Sequence, residues 1–214
     1  MARRIVRWLG IAALVIGYPL LAHYTNANES AYGGNLGAWV AIAPVVLIAL
    51  LLAWRSPHRF IMLGVVMLLC VALWAGWPAL EHHYGLVYWL QHVGIQLILF
   101  MTFARTLIAG RQPLCTRFAE AVHAPLTPQH EIYARKVTLA WTLFFAAMAL
   151  ASTLLFFLTP LAAWSVFANF LTLPLVALMF IAEYGVRRWV LPEMRHTHIL
   201  DAVRAFRNTS VRPG

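Results

Sequence analysis

Polar positions are rare enough along this chain that their spacing lays out the architecture. Apolar runs at Ile5–Leu21, Leu36–Trp54, Phe60–Trp77, Leu86–Ile108, Val137–Leu158 and Ala163–Tyr184 are separated by short polar breaks. A hydrocarbon layer about 30 Å thick takes roughly 20 residues of helix, and within it every peptide group must find its hydrogen bond inside the helix. The pattern predicts an all-α, polytopic membrane protein with six transmembrane helices, built as a single transmembrane domain over residues 1–214. Trp8, Trp39, Trp54, Trp77, Tyr184 and Trp189 stand near the ends of the runs, at the headgroup level that amphipathic rings prefer.

The remaining polar segments are short. The longest break, residues 110–136, contains Pro113 at a favourable helix start and Leu114, Phe118 and Val122 at helical spacing, so it predicts a short amphipathic helix on the membrane surface. Pro125 and Pro128 end that helix, and a second helical run from about Gln129 leads into the fifth span. In the tail, residues 189–207, Ile199, Val203 and Phe206 share a face opposite Asp201, Arg204 and Arg207, which predicts a second interfacial helix.

Composition agrees with this layout. Hydrophobic residues make up 62% of the chain and charged residues 11%, against about 45–50% and 25% in soluble domains. The formal charge of +9 comes from fifteen arginines and a single lysine. Without a nucleic-acid-binding motif or an aromatic-basic groove, that excess points to membrane orientation and away from nucleic acid. All of these cations lie before or at the start of the first span, at or between the facing ends of spans two and three or four and five, or beyond the sixth. The opposite connections, Ala22–Asn35, Pro78–Gly85 and Thr159–Ala162, hold none. The positive-inside rule then places both termini in the cytoplasm and the opposite connections on the periplasmic or otherwise external side. Arg3-Arg4 ahead of an apolar run also has the look of a signal sequence, but Tyr18-Pro19-Leu20-Leu21 is bulkier than the usual approach to a cleavage site.

Candidate chemistry is sparse. Cys115, His123 and His130 share the long connector, and a thiolate beside histidines is the basis of acyl transfer. A loop that short has little material for oxyanion donors and a dry pocket, so solvated polarity is the simpler reading. Gln91, His92 and Gln96 enter the fourth span and Asn169 and Thr172 the sixth, beside Pro174. Polar groups at such depth either bond between helices or line a ligand path, and interhelical bonding is the more economical role. Arg105 and Glu183 fall at similar depth, which predicts a salt bridge, with Arg187 as the rival partner one turn beyond Glu183. His23, Glu29, Glu81, His82 and His83 gather on the external side without the spacing of a known metal site. No cofactor is expected. Arg117, Arg135, Lys136, Arg204 and Arg207 form basic surfaces suited to acidic partners.

The runs "RQPLCTRFAEAVHAPLTP", "YARKVTLAWTLFFAAMALAS", "WSVFANFLTLPLVALMFIAEYGVRR" and "DAVRAFR" resemble a family of small integral membrane proteins. Its members are encoded in gene clusters for aryl polyene pigments, including the xanthomonadin-type yellow pigments of Gram-negative bacteria. The resemblance is strongest from about Gly110 to Arg207. It implies a setting beside ketosynthases, carrier proteins, reductases, acyltransferases and transport proteins that make and move an aryl-capped polyene lipid. It supplies no catalytic residues. The expected role is an accessory subunit that docks pathway enzymes, an acyl carrier protein or the lipid-linked product at the membrane. The rivals are a transporter or flippase of the polyene lipid and an integral membrane acyl-transfer enzyme.

The orientation is directly testable. A cysteine introduced at Gln129 is expected to resist an impermeant thiol reagent in intact, outer-permeabilised cells and to react after lysis. Labelling before lysis would reverse the assigned sidedness.

Overall fold

A computed structural model of the chain describes residues 16–28, 34–108, 110–123 and 127–191. Every regular element among them is helical: α1 (Tyr18–Ala27), α2 (Gly34–Arg55), α3 (Arg59–Ala75), α4 (Trp77–Ala104), α5 (Leu114–His123), α6 (Pro128–Leu158) and α7 (Leu161–Val190). Within α7, residues Phe167–Leu171 form a π-helical turn. Four of these helices, α2, α4, α6 and α7, are long and apolar enough to cross a membrane. The apolar α3 has 17 residues and is about 26 Å long, slightly short of a full hydrocarbon layer. The first apolar run falls mostly outside the described residues, as do the Pro125 break and the proposed tail helix beyond Leu191.

One boundary differs from the sequence pattern for a local reason. The polar break Pro78–Gly85 is helical, part of α4, because its polar side chains bond within their own helix. Trp77 Nε1 donates to Glu81 Oε1 at 2.8 Å. The Nδ1–H groups of His82 and His83 reach back to the carbonyls of Pro78 and Ala79 at 2.9 and 3.0 Å. The helix bends at His83, whose φ/ψ of −125°/20° is non-helical. As the sequence pattern expected, α6 begins ahead of its apolar run, at Pro128, a residue compatible with a first helical turn.

The connector between α4 and α5 turns at Gly110, whose φ of +81° favours glycine. The start of α5 leaves amides without helical acceptors, and two threonines supply them. Leu114 N donates to Thr106 Oγ1 at 3.1 Å and Cys115 N to Thr138 Oγ1 at 3.2 Å. Both hydroxyls pass their own protons to helix carbonyls, Phe103 O and Ala134 O.

The described chain divides into two compact units. One runs up to Val93 and includes Ala151–Leu173; the other comprises Gly94–Leu150 and the residues from Pro174 onward. In the first, the core gathers small and aromatic residues, Ala22, Ala38, Ala41, Tyr84, Tyr88 and Trp164. In the second, Phe103, Phe145, Trp141 and Phe180 pack as a run of tilted rings, with Trp141 and Phe180 centroids 4.6 Å apart.

Side chains are sorted inside out relative to a water-soluble bundle. Thr25, Asn26, Thr138, Ser152 and Ser165 are buried, whereas Trp54, Phe60, Leu68, Trp74 and Leu158 are each more than 70% exposed. Lipid offers apolar residues no reason to hide, so close-packing small residues and interhelical hydrogen bonds take the interior.

Gly37 shows how tight that interior is. A Cβ there would lie 2.6 Å from Tyr84 Cδ2 and 2.7 Å from Cε2, and Tyr84 is itself buried. Gly37→Ala is expected to destabilise the protein by about 1–3 kcal/mol. Gly64→Ala, which meets nothing within 4 Å, should leave the melting temperature unchanged or slightly raised. Thermal unfolding of both variants in detergent checks the contrast.

Candidate functional sites: a histidine relay and an amphiphilic groove

In the first unit, Gln91 and His92 bond between helices. Gln91 Nε2 donates to Ala41 O of α2 at 2.7 Å. His92 joins α4 to α6 and α7, its Nδ1 lying 2.9 Å from Ser152 Oγ and its Nε2 2.9 Å from Thr172 Oγ1. Direction follows from the groups at the two ends. Trp164 Nε1, which can only donate, bonds Ser152 Oγ at 3.0 Å. Thr172 Oγ1 donates its proton to Phe167 O at 3.1 Å, so it accepts from His92 Nε2–H. A neutral imidazole then presents a bare Nδ1, which accepts from Ser152. The chain Trp164→Ser152→His92→Thr172→Phe167 runs one way and fixes the tautomer. The His92 ring also lies edge-on to Trp164 and Phe167.

A second knot centres on Ser165, fully buried in α7. Asn169 Nδ2 donates to Ser165 Oγ and to Ser165 O, both at 3.0 Å. Asn26 Nδ2 reaches the same hydroxyl at 3.4 Å, and His23 Nδ1 lies 3.1 Å from it. Ser165 therefore accepts two amide donors and gives its proton to His23. Ser152 and Ser165 went unnoticed in the sequence, since a serine in an apolar run carries no signal of what it will face. Thr172 is a partner of His92, while Asn169 repairs its own helix.

His23, Glu81, His82 and His83 each have a structural partner in these contacts. Among the described residues no group of three or more His, Cys, Asp or Glu side chains is placed to hold a metal ion. Glu29 lies outside the described residues.

In the second unit, Cys115 and His130 are used separately. His130 Nδ1 lies 2.9 Å from Thr127 Oγ1 and accepts from Thr127 N at 3.2 Å, closing the first turn of α6. Cys115 contributes its amide to Thr138, and burial pushes its thiol up from the ordinary range, with the Glu183 carboxylate acting in the same direction. A raised thiol is a poor nucleophile at neutral pH. His123 lies at the end of α5. Gln96 is buried with its Oε1 unpartnered among the described residues, as is Thr116 Oγ1.

Glu183 pairs with Arg187, not with Arg105. Arg187 Nε lies 3.7 Å from Glu183 Oε1 one turn along α7, a local arrangement that needs no precise register between helices. From α6, the Tyr133 hydroxyl adds contacts to Glu183 O at 3.2 Å and Oε1 at 3.4 Å. Around this pair α6 and α7 line a cavity of about 620 Å³. Its walls are apolar, with Ile132, Val137, Ala140, Met179, Ala182 and Val186, and its polar members are Gln129, Tyr133, Lys136 and Glu183. Arg117, Arg135 and Lys136 are exposed, and Arg135 Nη2 donates to Leu107 O at 3.1 Å. Arg204 and Arg207 lie outside the described residues.

No family model, curated protein or solved structure matches the chain.

The relay around His92 predicts two outcomes. Imidazole ¹⁵N spectra should show His92 protonated at Nε2 only. His92→Leu should lower stability by about 1–2 kcal/mol through the lost interhelical bonds, read by unfolding in detergent. A proton on Nδ1 instead would contradict the assigned direction.

Proposed function

We propose that this chain is a multi-pass accessory subunit of the bacterial inner membrane, serving aryl polyene pigment biosynthesis by docking cytoplasmic synthesis enzymes or their carrier protein beside a lipid-linked product. The family resemblance supplies the setting. The observation that carries the role is the amphiphilic groove between α6 and α7, with Lys136 in its wall and Arg187 and Arg188 on the same stretch of α7. Such a groove suits an apolar chain with a polar end, and adjacent cations suit an acidic protein surface. Four long apolar helices, the shorter α3 and the N-terminal apolar run together make six spans in this reading, with the arginine-rich side facing the cytoplasm.

The rival readings fit the side chains less well. An acyl-transfer enzyme built on Cys115 needs a low-lying thiol with histidine within reach, and here the thiol is raised and His130 closes a helix turn. A flippase lined by Gln91, His92, Gln96 and Asn169 needs polar groups free to meet cargo, whereas Gln91, His92 and Asn169 bond to Ala41, Ser152, Thr172 and Ser165, which leaves only Gln96 Oε1 of this set unpartnered among the described residues.

Complementary charge steers association and weakens with added salt. Pull-down of pathway proteins from detergent is therefore expected to fall as salt rises, and to fall at low salt when Arg117, Arg204 and Arg207 are reversed to Glu. Arg135 is left intact because it holds the Leu107 carbonyl. Unchanged recovery of every pathway protein in the triple variant would refute the docking role.

A further inference from the structure

The groove between α6 and α7 is lined by one acid and one base that do not neutralise each other. Glu183 makes its contacts through Oε1, to Tyr133 and Arg187, so Oε2 keeps its acceptor capacity among the described residues. Lys136 makes no hydrogen bond or ion pair among them. From Gln129 to Ala140 on α6, and from Met179 to Val190 on α7, the lined stretch rises about 16 Å at about 1.5 Å per residue. One end is purely apolar, at Ala140 and Met179, and the charged residues lie nearer the other. Ile132, Val186 and Val190 are both groove-lining and exposed, so the groove is open sideways on the surface of two helices apolar enough to span a membrane.

We infer that this groove is a binding site for an aminophospholipid, with an acyl chain along the apolar wall, the phosphate on Lys136 Nζ and the primary ammonium on Glu183 Oε2. The charges of the site select the headgroup. A purely anionic headgroup offers no donor to Glu183 Oε2 and sets its phosphate against the carboxylate. A choline headgroup is zwitterionic but has no N–H to donate to the carboxylate. A phosphoethanolamine headgroup carries a phosphate acceptor and an ammonium donor a short linker apart, and charge-assisted hydrogen bonds to both are among the stronger polar contacts available. Free phosphate has no use for the apolar walls. Tyr133 and Arg187 act as positioning residues, holding Oε1 so that Oε2 remains open to the groove.

This inference rests on the lipid-holding part of the proposed function and names the lipid class. Its test reads lipid and not protein partners, so each can fail without the other. The full chain is purified in detergent, stripped of lipid and titrated with phosphatidylethanolamine, phosphatidylcholine and phosphatidylglycerol of identical acyl chains, with binding read by native mass spectrometry. The ethanolamine lipid should bind about tenfold more tightly than the other two, the size expected of a hydrogen bond to a charged group. Glu183→Gln should remove the preference over choline, and Lys136→Gln should weaken all three. Ala140→Phe, which fills the apolar end, should weaken all three while preserving their order. Arg111→Gln, exposed and outside the groove, should change nothing. The comparison of lipids on the unmodified chain needs no variant to fold. Equal binding of the three lipids, a preference for the glycerol headgroup, or a preference that survives Glu183→Gln would each overturn the assignment.

Discussion

In hydrocarbon no peptide group can borrow a partner from water, and α7 shows what that constraint demands. Pro174 lacks an N–H, and the π-helical turn at Phe167–Leu171 immediately before it shifts the helical bonding pattern. Side chains on the same stretch add bonds of their own to nearby carbonyls. Asn169 returns to Ser165 O, and both the amide and the hydroxyl of Thr172 take Phe167 O. The Thr172 oxygen, its proton committed to that carbonyl, is then left as an acceptor, and His92 supplies the donor. The histidine relay thus continues the backbone's own repair, which is why a titratable ring can sit in a span without a charged partner.

The same constraint explains the sorting of residues. When apolar side chains gain nothing by burial, contact between helices depends on close approach and on polar side chains that bond across the gap. Ala38 and Ala41 on α2 and Gly37 under the Tyr84 ring provide the first. Gln91 on Ala41 O, His92 on Ser152 and Thr172, and Trp164 on Ser152 provide the second. Small residues and hydroxyls therefore do in this interior what leucine and phenylalanine do in a soluble core.

How much of this was legible in the sequence depended on whether the deciding interaction was local. Long apolar helices follow from run length, and the helical start of the fifth run followed from Pro128 and the residues after it. The break at Pro78–Gly85 was misread because its polarity was taken as a need for water, whereas Glu81, His82 and His83 satisfy themselves one turn back. The polar character of Gln91, His92, Asn169 and Thr172 was visible, but Ser152 and Ser165 were not, since their roles depend on the facing register of separate helices. Matching depth suggested Arg105 for Glu183, yet the i,i+4 neighbour Arg187 was already within reach. The groove was invisible for the same reason as the serines: its two walls come from runs that each look like an ordinary span.

The longest polar interruption had invited two accounts, a catalytic loop or a plain solvated turn, and the bonds around α5 support neither. Thr106 and Thr138 tie the first amides of α5 to the end of α4 and to α6, and Arg135 closes on Leu107. His130 and Thr127 form the start of α6. Of the residues that suggested chemistry, His130 is engaged in the first turn of α6, and the Cys115 amide is held by Thr138. A connector fastened in this way keeps Arg117 and Lys136 exposed on a fixed support, and a fixed charge loses less conformational entropy on meeting a partner than one on a free loop. Burial raises the Cys115 thiol, and hydrogen bonds to Thr127 occupy His130 Nδ1 in the same tethered segment.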